Sequence, residues 1–473
     1  MYTFCSAILC LIVGYLLYGA FVERVFGVDS QRKTPCFTKN DGVDFMPLPT
    51  WKVFLIQFLN IAGTGPIFGA VMGILFGPAA YLWIVFGCIF AGATHDYLSG
   101  MISLRKGGAS LPEIVGDQLG SAARMIMRIF SLVLLVLVGA VFVTTPAELL
   151  TNMTSSLGSI FTSSFWVLLI LFYYILATLL PIDAVIGKLY PLFGIALLVM
   201  ALGVGIGIFT YDGWMPEITD GLTGHHPKGL SVFPMLCITI ACGAISGFHA
   251  TQSPMMARCM KNEKDGRKIF YLSMITEGAV ALIWAAAAIK FAGSYEELAK
   301  MGNPALIVNT ICNSWLGTLG SVLAILGVVA APITSGDTAF RSARLILSDM
   351  LRFKQDKFWK RMAISFPLFV IAIILMTVNF DILWRYFAWF NQTLGCITLW
   401  AIAVWLLRNG KCYWIALLPA LFMTVVSCSY ILVAPEGLSL PLSYGITGGL
   451  SLMVLLSVLF AFKVFDFLKK REK

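Results

Sequence analysis

Hydrophobic positions in this chain are grouped into long runs that are separated by short polar segments. Runs of about twenty residues, the length that crosses roughly 30 Å of hydrocarbon, occur at about thirteen places and predict transmembrane helices. We therefore predict an all-α integral membrane protein that forms a single transmembrane domain over residues 1–473. The runs are 4–22, 53–76, 80–103, 127–151, 164–180, 189–210, 232–257, 269–292, 319–346, 362–379, 384–407, 413–433 and 445–467.

Two of these runs contain helix-breaking residues near their middle. The second run contains Gly63-Thr64-Gly65-Pro66, and the seventh contains a glycine-rich stretch from Ala241 to His249. An unwound backbone at membrane depth is tolerated only where it is buried in protein or lines a cavity, because unpaired amides are costly in hydrocarbon. A pair of broken helices in the two halves of a membrane protein indicates the substrate site of a transporter.

The positions of the two breaks predict an internal repeat. The broken runs are the second and the seventh, so they cross the membrane in opposite directions, as in a LeuT/APC-like five-plus-five inverted repeat. Repeat 1 would span about 53–210 and repeat 2 about 232–407. An alternative is that the glycines only allow close helix packing, but Pro66 adds the loss of a backbone donor at the same point. The additional helices would be 4–22, 413–433 and 445–467.

Composition and charge support this interpretation. The chain is 59% hydrophobic and 12% charged, which is typical of a polytopic membrane protein. Its formal charge of +9 comes mainly from Lys and Arg in the odd-numbered loops and in the tail Lys469-Lys470-Arg471. The positive-inside rule then places those loops and the carboxyl terminus in the cytoplasm and the amino terminus outside. The charge is thus a topology signal, and we predict no nucleic-acid partner.

The two breaks supply the candidate substrate-binding residues. Proline at the first turn of a restarted helix leaves the amides around Thr64 and Gly65 directed at a cavity, where they suit a carboxylate. His249 could contact substrate, shuttle a proton or satisfy carbonyls of the broken helix. The predicted substrate-binding residues are Gly63, Thr64, Gly65, Pro66, Gly243, Ser246, Gly247, Phe248, His249 and Gln252.

A third interruption is predicted in the ninth run, from Pro332 to Thr338. In a LeuT-type arrangement this segment faces the first break, and Thr334, Ser335 and Asp337 are oxygen ligands that suit a coupling sodium ion. Asp337 alone could instead bind a proton. An ion pair between Asp337 and Arg341, four residues further along the same helix face, is an equal alternative.

The remaining polar residues at membrane depth are predicted to have gating or structural roles. His95 and Asp96 are adjacent and point about 100° apart on a helix, so a structural hydrogen bond is favoured over a metal site. We predict no metal site in the chain. The residues in this group are His95, Asp96, Glu277, Asn391 and Gln392.

With these residues in view, the chain resembles the carbon starvation (CstA) family of membrane transporters. The resemblance implies uptake of peptides or pyruvate-like carboxylates under nutrient limitation, and the five-plus-five inverted-repeat fold. The chain is shorter than the long members and has His95 where they tend to carry a glutamine, so substrate choice is expected to differ. The segments that carry the resemblance are Lys39 to Pro47, Ile61 to Pro66, Phe90 to Asp96, Ile238 to His249, Asp337 to Arg344 and Phe390 to Gln392.

Together these observations predict a secondary active transporter in the cytoplasmic membrane that imports a small nutrient in response to carbon starvation. No segment resembles a nucleotide-binding loop, so an H⁺ or Na⁺ gradient is the expected energy source, and no cofactor is expected. The expected partners are a small-molecule substrate and the lipid bilayer, and the sequence does not indicate an oligomeric state. Two alternatives remain at this stage: an intramembrane metal-dependent enzyme that uses His95, Asp96, His249 and Glu277, and a nutrient-sensing receptor on a transporter fold.

Overall fold

The computed structural model is helical, and it describes residues 1–154, 158–179, 182–355, 357–378 and 380–471, with no strand among them. The helices are α1 Tyr2–Val13, α2 Gly19–Phe26, α3 Pro35–Thr38, α4 Thr50–Ile61, α5 Gly65–Gly73, α6 Ala79–Phe86, α7 Ala93–Arg105, α8 Leu111–Leu119, α9 Ser121–Thr154, α10 Ser163–Leu179, α11 Ile182–Thr210, α12 Val232–Thr239, α13 Gly247–Ala257, α14 Leu272–Ala292, α15 Tyr295–Met301, α16 Pro304–Ala324, α17 Ala330–Leu351, α18 Phe358–Leu375, α19 Phe380–Arg408, α20 Trp414–Val433 and α21 Leu442–Arg471.

Short π-helical segments join several of these helices into longer rods. Gly14–Tyr18 connects α1 to α2, and Gly87–Gly92 connects α6 to α7. Each connected pair is long enough to cross a bilayer. The π segments therefore continue these spans without interrupting them.

The membrane-spanning architecture predicted from hydropathy is present in its main features. Among the described residues, 9 helices are long and apolar enough to cross a membrane, and the bent pair α4–α5 raises the number to 10. Helices also occupy the three other predicted runs: α10 is shorter, α12–α13 is broken, and α17 is rich in polar residues. The all-α membrane fold is confirmed, while the count of thirteen spans stays a prediction.

The prediction of a third interruption in the ninth run was wrong. Helix α17 runs without a break from Ala330 to Leu351, so the segment from Pro332 to Thr338 is helical. Pro332 lies in the first turn, where the amide that proline lacks would have had no partner inside α17. The irregular segment is instead the π-helical Ile325–Val329, which immediately precedes α17.

Two hydrophobic clusters hold the helices together. The first cluster is built mainly from α1, α2, α4 to α7, α11 to α16, α19 and α20. The second cluster is built mainly from α8, α9, α10, α17, α18 and α19. The α12–α13 break lies where the two clusters meet, because Ile240 and Ile245 belong to the first, and Cys242 and Phe248 to the second.

Candidate functional site

The first predicted break lies between α4 and α5. Helix α4 ends at Ile61, α5 begins at Gly65, and the two segments are bent by 46°. Pro66 occupies the first turn of α5, where its missing amide hydrogen costs no intrahelical bond. The amide of Phe68 donates to the carbonyl of Thr64 at 2.8 Å, so the amide of Gly65 comes before the first bond of the ladder. The interruption at Gly63-Thr64 is confirmed.

The second predicted break separates α12, which ends at Thr239, from α13, which begins at Gly247. Gly243 and Ser246 lie in the unwound segment, and Phe248, His249 and Gln252 lie in the first turns of α13. The side chain of Asn391 caps this helix start from α19. Its Oδ1 accepts from the Ser246 hydroxyl at 2.9 Å and from the Phe248 amide at 2.7 Å. Asn391 thus satisfies one of the backbone amides that a broken helix exposes.

The two breaks pack directly against each other. A Cβ atom on Gly65 would lie 2.4 Å from Cys242 Sγ, and one on Gly69 would lie 2.8 Å from the carbonyl oxygen of Thr239. Only glycine permits so close an approach at either position. The structure therefore brings the two segments singled out in the sequence into one site.

Two buried polar residues of α4, Gln57 and Asn60, were not among the predicted site residues. They lie one turn apart on the helix, Thr64 follows in the break, and all three are fully buried. Neither the two side-chain amides nor the Thr64 hydroxyl has a hydrogen-bond partner among the described residues. Buried polar groups are normally paired, so this face is suited to a polar ligand. The i, i+3 spacing of Gln57 and Asn60 just before the break was the signal in the sequence.

A cluster of ionisable side chains adjoins the second break. Asp96 Oδ1 lies 2.8 Å from His95 Nδ1, and Asp96 Oδ2 lies 2.9 Å from His249 Nδ1. His249 Nε2 lies 3.4 Å from Glu277 Oε2. His95 and Asp96 contact each other although they are adjacent on the helix, and Asp96 bridges the two histidines.

Asp337 lies between two tyrosines that come from other helices. Its Oδ2 accepts from the Tyr173 hydroxyl at 2.7 Å, and its Oδ1 accepts from the Tyr190 hydroxyl. The carboxyl group is buried, with 1% of the residue exposed. Two donated hydrogen bonds stabilise the ionised form at a depth where ionisation is otherwise costly.

The other two predicted coupling residues have different neighbours from Asp337. The Ser335 hydroxyl donates to the carbonyl oxygen of Leu59, in the last turn of α4, at 3.1 Å. The Thr334 hydroxyl donates within its own helix to Ala331 at 2.8 Å. The structure thus places Ser335 against the first break and Asp337 against the tyrosines, so the three side chains do not converge on one point.

The amides of Gln252 and Gln392 are also buried near the second break. Gln252 Nε2 donates to the Thr251 hydroxyl at 2.9 Å, and Gln392 Nε2 donates to the carbonyl of Cys237 at 3.2 Å. Neither side-chain oxygen has a partner in the described part of the chain. Both residues therefore offer acceptors close to the unwound segment.

Arg341 forms an ion pair that the sequence did not predict. Its Nη1 lies 3.2 Å from Asp44 Oδ1, and Arg344 Nη2 lies 3.9 Å from Asp44 Oδ2. The pair thus ties the segment before α4 to α17, whereas the predicted partner, Asp337, is held by the tyrosines. Although burial disfavours its charged form, the guanidinium groups of Arg341 and Arg344 hold the pKa of Asp44 below its usual range.

We expect Asp44→Asn to destabilise the protein at neutral pH by about 2–3 kcal/mol, because the buried guanidinium of Arg341 loses its carboxylate. Since folding lowers the pKa of Asp44, its contribution is fully present above the ordinary value of 3.8 and is lost as pH falls through the lower folded value. Thermal unfolding in detergent across this range measures the effect. Asp41→Asn is the matched control, because an amide oxygen can still accept the loop hydrogen bonds of Asp41. Equal stability of the two variants at pH 7 would contradict the prediction.

Comparisons with known proteins identify relatives of this chain. The family model described as "Carbon starvation protein CstA" matches residues 1–163, 159–315 and 285–429. An uncharacterised membrane protein of Haemophilus influenzae is 43% identical over 335 residues, which cover 61% of this chain and 90% of that protein. The peptide transporter CstA of Campylobacter jejuni is 30% identical over 60% of this chain and 49% of its own length. The pyruvate/proton symporter BtsT of Escherichia coli is 27% identical over 58% of this chain and 46% of its own length.

Two solved structures share the fold at low sequence identity. A mutant of the manganese transporter of Eremococcus coleocola has a TM-score of 0.54 at 11% identity, over 91% of this chain and 99% of that one. MhsT in complex with L-phenylalanine has a TM-score of 0.56 at 15% identity, over 87% of this chain and 98% of that one. These likenesses show that the helical arrangement is one that membrane transporters use.

Proposed function

Because this chain belongs to the carbon starvation protein CstA family, we propose that it is a proton-coupled secondary transporter that imports a small carboxylate nutrient. Two of the relatives that carry functional names are a peptide transporter and a pyruvate/proton symporter. The matched region spans about half the length of those two relatives. Pyruvate-like acids and short peptides, which share a carboxylate, are the substrate classes we propose for this chain.

The observation that carries the proposal is the meeting of two broken helices at a buried polar face. The amide of Gly65 precedes the first hydrogen bond of α5, and a helix N-terminus favours an anion. Thr64 in the break and Asn60 in the last turn of α4 have a buried hydroxyl and a buried amide without a hydrogen-bond partner among the described residues. We place the substrate carboxylate here, between Gly63 to Pro66 and Gly243 to Gln252.

The five-plus-five repeat is part of the same proposal. The second cluster takes α9 and α10 from the proposed first repeat and α17 and α18 from the second. Those pairs are the third and fourth spans of their repeats, which is the correspondence that an internal repeat requires. The two broken helices would be the first span of each repeat. Movement of the second cluster against the rest would then open the site to alternate sides.

We assign proton coupling to Asp337. The carboxyl is buried at membrane depth between two hydroxyl donors, so the ionised and the neutral form can both be accommodated there. A sodium ion is the second candidate, since the Leu59 carbonyl and the Ser335 hydroxyl provide oxygen ligands at the first break. In that case Ser335→Ala would remove the coupling.

For the orientation we retain the topology that the loop charges predict. The amino terminus would lie outside and the carboxyl terminus in the cytoplasm, in a multi-pass protein of the cytoplasmic membrane. The loop that holds Asp44 would then be cytoplasmic.

Uptake by proteoliposomes tests the proposed function. Labelled pyruvate and a labelled dipeptide are offered to vesicles under an inward proton gradient, an inward sodium gradient, or neither. We expect one of the two substrates to accumulate only under the proton gradient, with competition by the unlabelled compound. Accumulation driven by the sodium gradient alone would show that sodium, and not the proton, is the coupling ion. If neither pyruvate nor the dipeptide entered the vesicles, the proposal of these two substrate classes would be overturned.

A further inference from the structure

Three potential metal ligands converge beside the second break. Cys242 comes from the unwound segment, His249 from α13 and Glu277 from α14. One ligand atom from each of the three side chains lies within 4.8 Å of the other two, and all three residues are buried. A small inward rotation of the side chains would give the metal–ligand distances of about 2.0–2.3 Å that zinc sites show.

Two of the three ligands are already oriented by a second hydrogen bond. Asp96 Oδ2 lies 2.9 Å from His249 Nδ1. A hydrogen on Nδ1 leaves the lone pair of Nε2 directed towards Glu277. The Asn391 amide donates to Cys242 Sγ at 3.4 Å, and the Ser246 hydroxyl lies 3.8 Å from the same sulfur. Metal-binding histidines commonly donate their other ring N–H to a carboxylate, and other metal ligands are also hydrogen-bonded by neighbouring residues.

The polar atoms that face the centre of the group are not satisfied by the rest of the protein. In the described part of the chain, His249 Nε2 and both carboxyl oxygens of Glu277 lack a hydrogen-bond partner. His249 Nε2 and Glu277 Oε2 lie 3.4 Å apart without a hydrogen bond, and a buried carboxylate is strongly unfavourable unless a cation neutralises it. The group therefore requires a cation at its centre, either a proton or a metal ion.

We propose that Cys242, His249 and Glu277 bind one divalent transition-metal ion of the zinc class, with Asp96 as the positioning residue. A thiolate, an imidazole and a carboxylate together suit borderline ions such as Zn²⁺ and disfavour Mg²⁺ and Ca²⁺, which require oxygen ligands. The charge of the ion offsets those of the thiolate and the carboxylate. Three protein ligands leave a fourth position for water or another ligand. The sulfur lies next to Gly65, so the site borders the α4–α5 break.

Metal binding can be measured on the purified protein in detergent without substrate or gradient, so its outcome is independent of that of the transport assay. The protein is stripped with a chelator and titrated with Co²⁺, which reports a bound thiolate through its charge-transfer absorption. We expect one equivalent to bind with this absorption, and Zn²⁺ to displace it. Cys242→Ser should remove the thiolate band, and Asp96→Asn should weaken binding by about 10–100-fold.

Cys237→Ser is the matched control, because Cys237 is a buried cysteine of the adjoining helix α12 and lies outside the ligand group. It should bind cobalt as the unmodified protein does. Cys242→Ser is nearly isosteric and is expected to fold, and gel filtration checks each variant. Absence of the thiolate band, or its persistence in Cys242→Ser, would overturn the proposal and leave a proton as the cation of this group.

Discussion

Asp337→Asn is expected to abolish proton-driven accumulation of substrate. Asparagine keeps the size of the side chain, and its oxygen can accept from one of the two tyrosines while its amide nitrogen donates to the hydroxyl oxygen of the other, but it does not exchange a proton. With one proton per substrate, a gradient of one pH unit supports at most about tenfold accumulation, because one pH unit corresponds to about 1.4 kcal/mol. We expect the unmodified protein to approach that ratio and the variant to stop near a ratio of one.

The assay compares initial uptake and the final ratio of inside to outside substrate in proteoliposomes. Asp220→Asn serves as the control, because Asp220 is an exposed carboxylate in the segment between α11 and α12. Exchange of labelled for unlabelled substrate without a gradient should persist in Asp337→Asn if the protein remains folded. Full gradient-driven accumulation in this variant would remove Asp337 from the coupling mechanism.

Gly247→Ala is expected to destabilise the protein by more than about 3 kcal/mol and to eliminate uptake. A Cβ atom at this position would lie 2.4 Å from the Gly395 amide nitrogen and 2.5 Å from the Asn391 carbonyl oxygen. Both are backbone atoms of α19, so α13 would have to move away as a unit. That movement would also separate Asn391 from the helix start that it caps.

Gly395→Ala is the matched control on the opposite side of the same contact. A Cβ atom there would meet its nearest neighbours at 3.4–3.7 Å, which is ordinary contact, and alanine is the better helix former. Thermal unfolding and uptake should therefore be nearly unchanged for this variant. Similar losses in both variants would show that the contact tolerates no side chain on either helix, whereas no loss in Gly247→Ala would contradict the close approach of α13 and α19.

The helix breaks could be predicted from sequence because their causes are local. Glycine and proline alter backbone freedom and hydrogen bonding wherever they occur, so Gly63 to Pro66 and Gly243 to Gly247 were recognised without knowledge of any partner. The same reasoning failed at Pro332, since a proline near a helix start is compatible with a continuous helix. The sequence did not show whether Pro332 lies near a helix start or in a helix interior. That position decided whether the helix is continuous or broken.

Side-chain partners were harder to predict, because they depend on how helices rotate and pack. The Asp337–Arg341 pair was one of two alternatives in the sequence, yet Asp337 contacts two tyrosines and Arg341 contacts Asp44. Gln57 and Asn60 were not singled out, although both precede the first break at a spacing of one helical turn. Polar residues inside a membrane helix carry no local sign of the direction in which they face.

The sequence by itself thus determined the membrane-spanning helical fold and the two interrupted spans, because apolar length, glycine and proline act on the backbone locally. Only the tertiary structure decided which side chains share a site. It joins Asp96 to His249 across 153 positions of the chain and places Cys242 and Glu277 beside them. Those contacts arise from the packing of three separate helical segments. The sequence therefore predicted where the backbone is interrupted, and the packing of the helices determined which ionisable side chains lie together there.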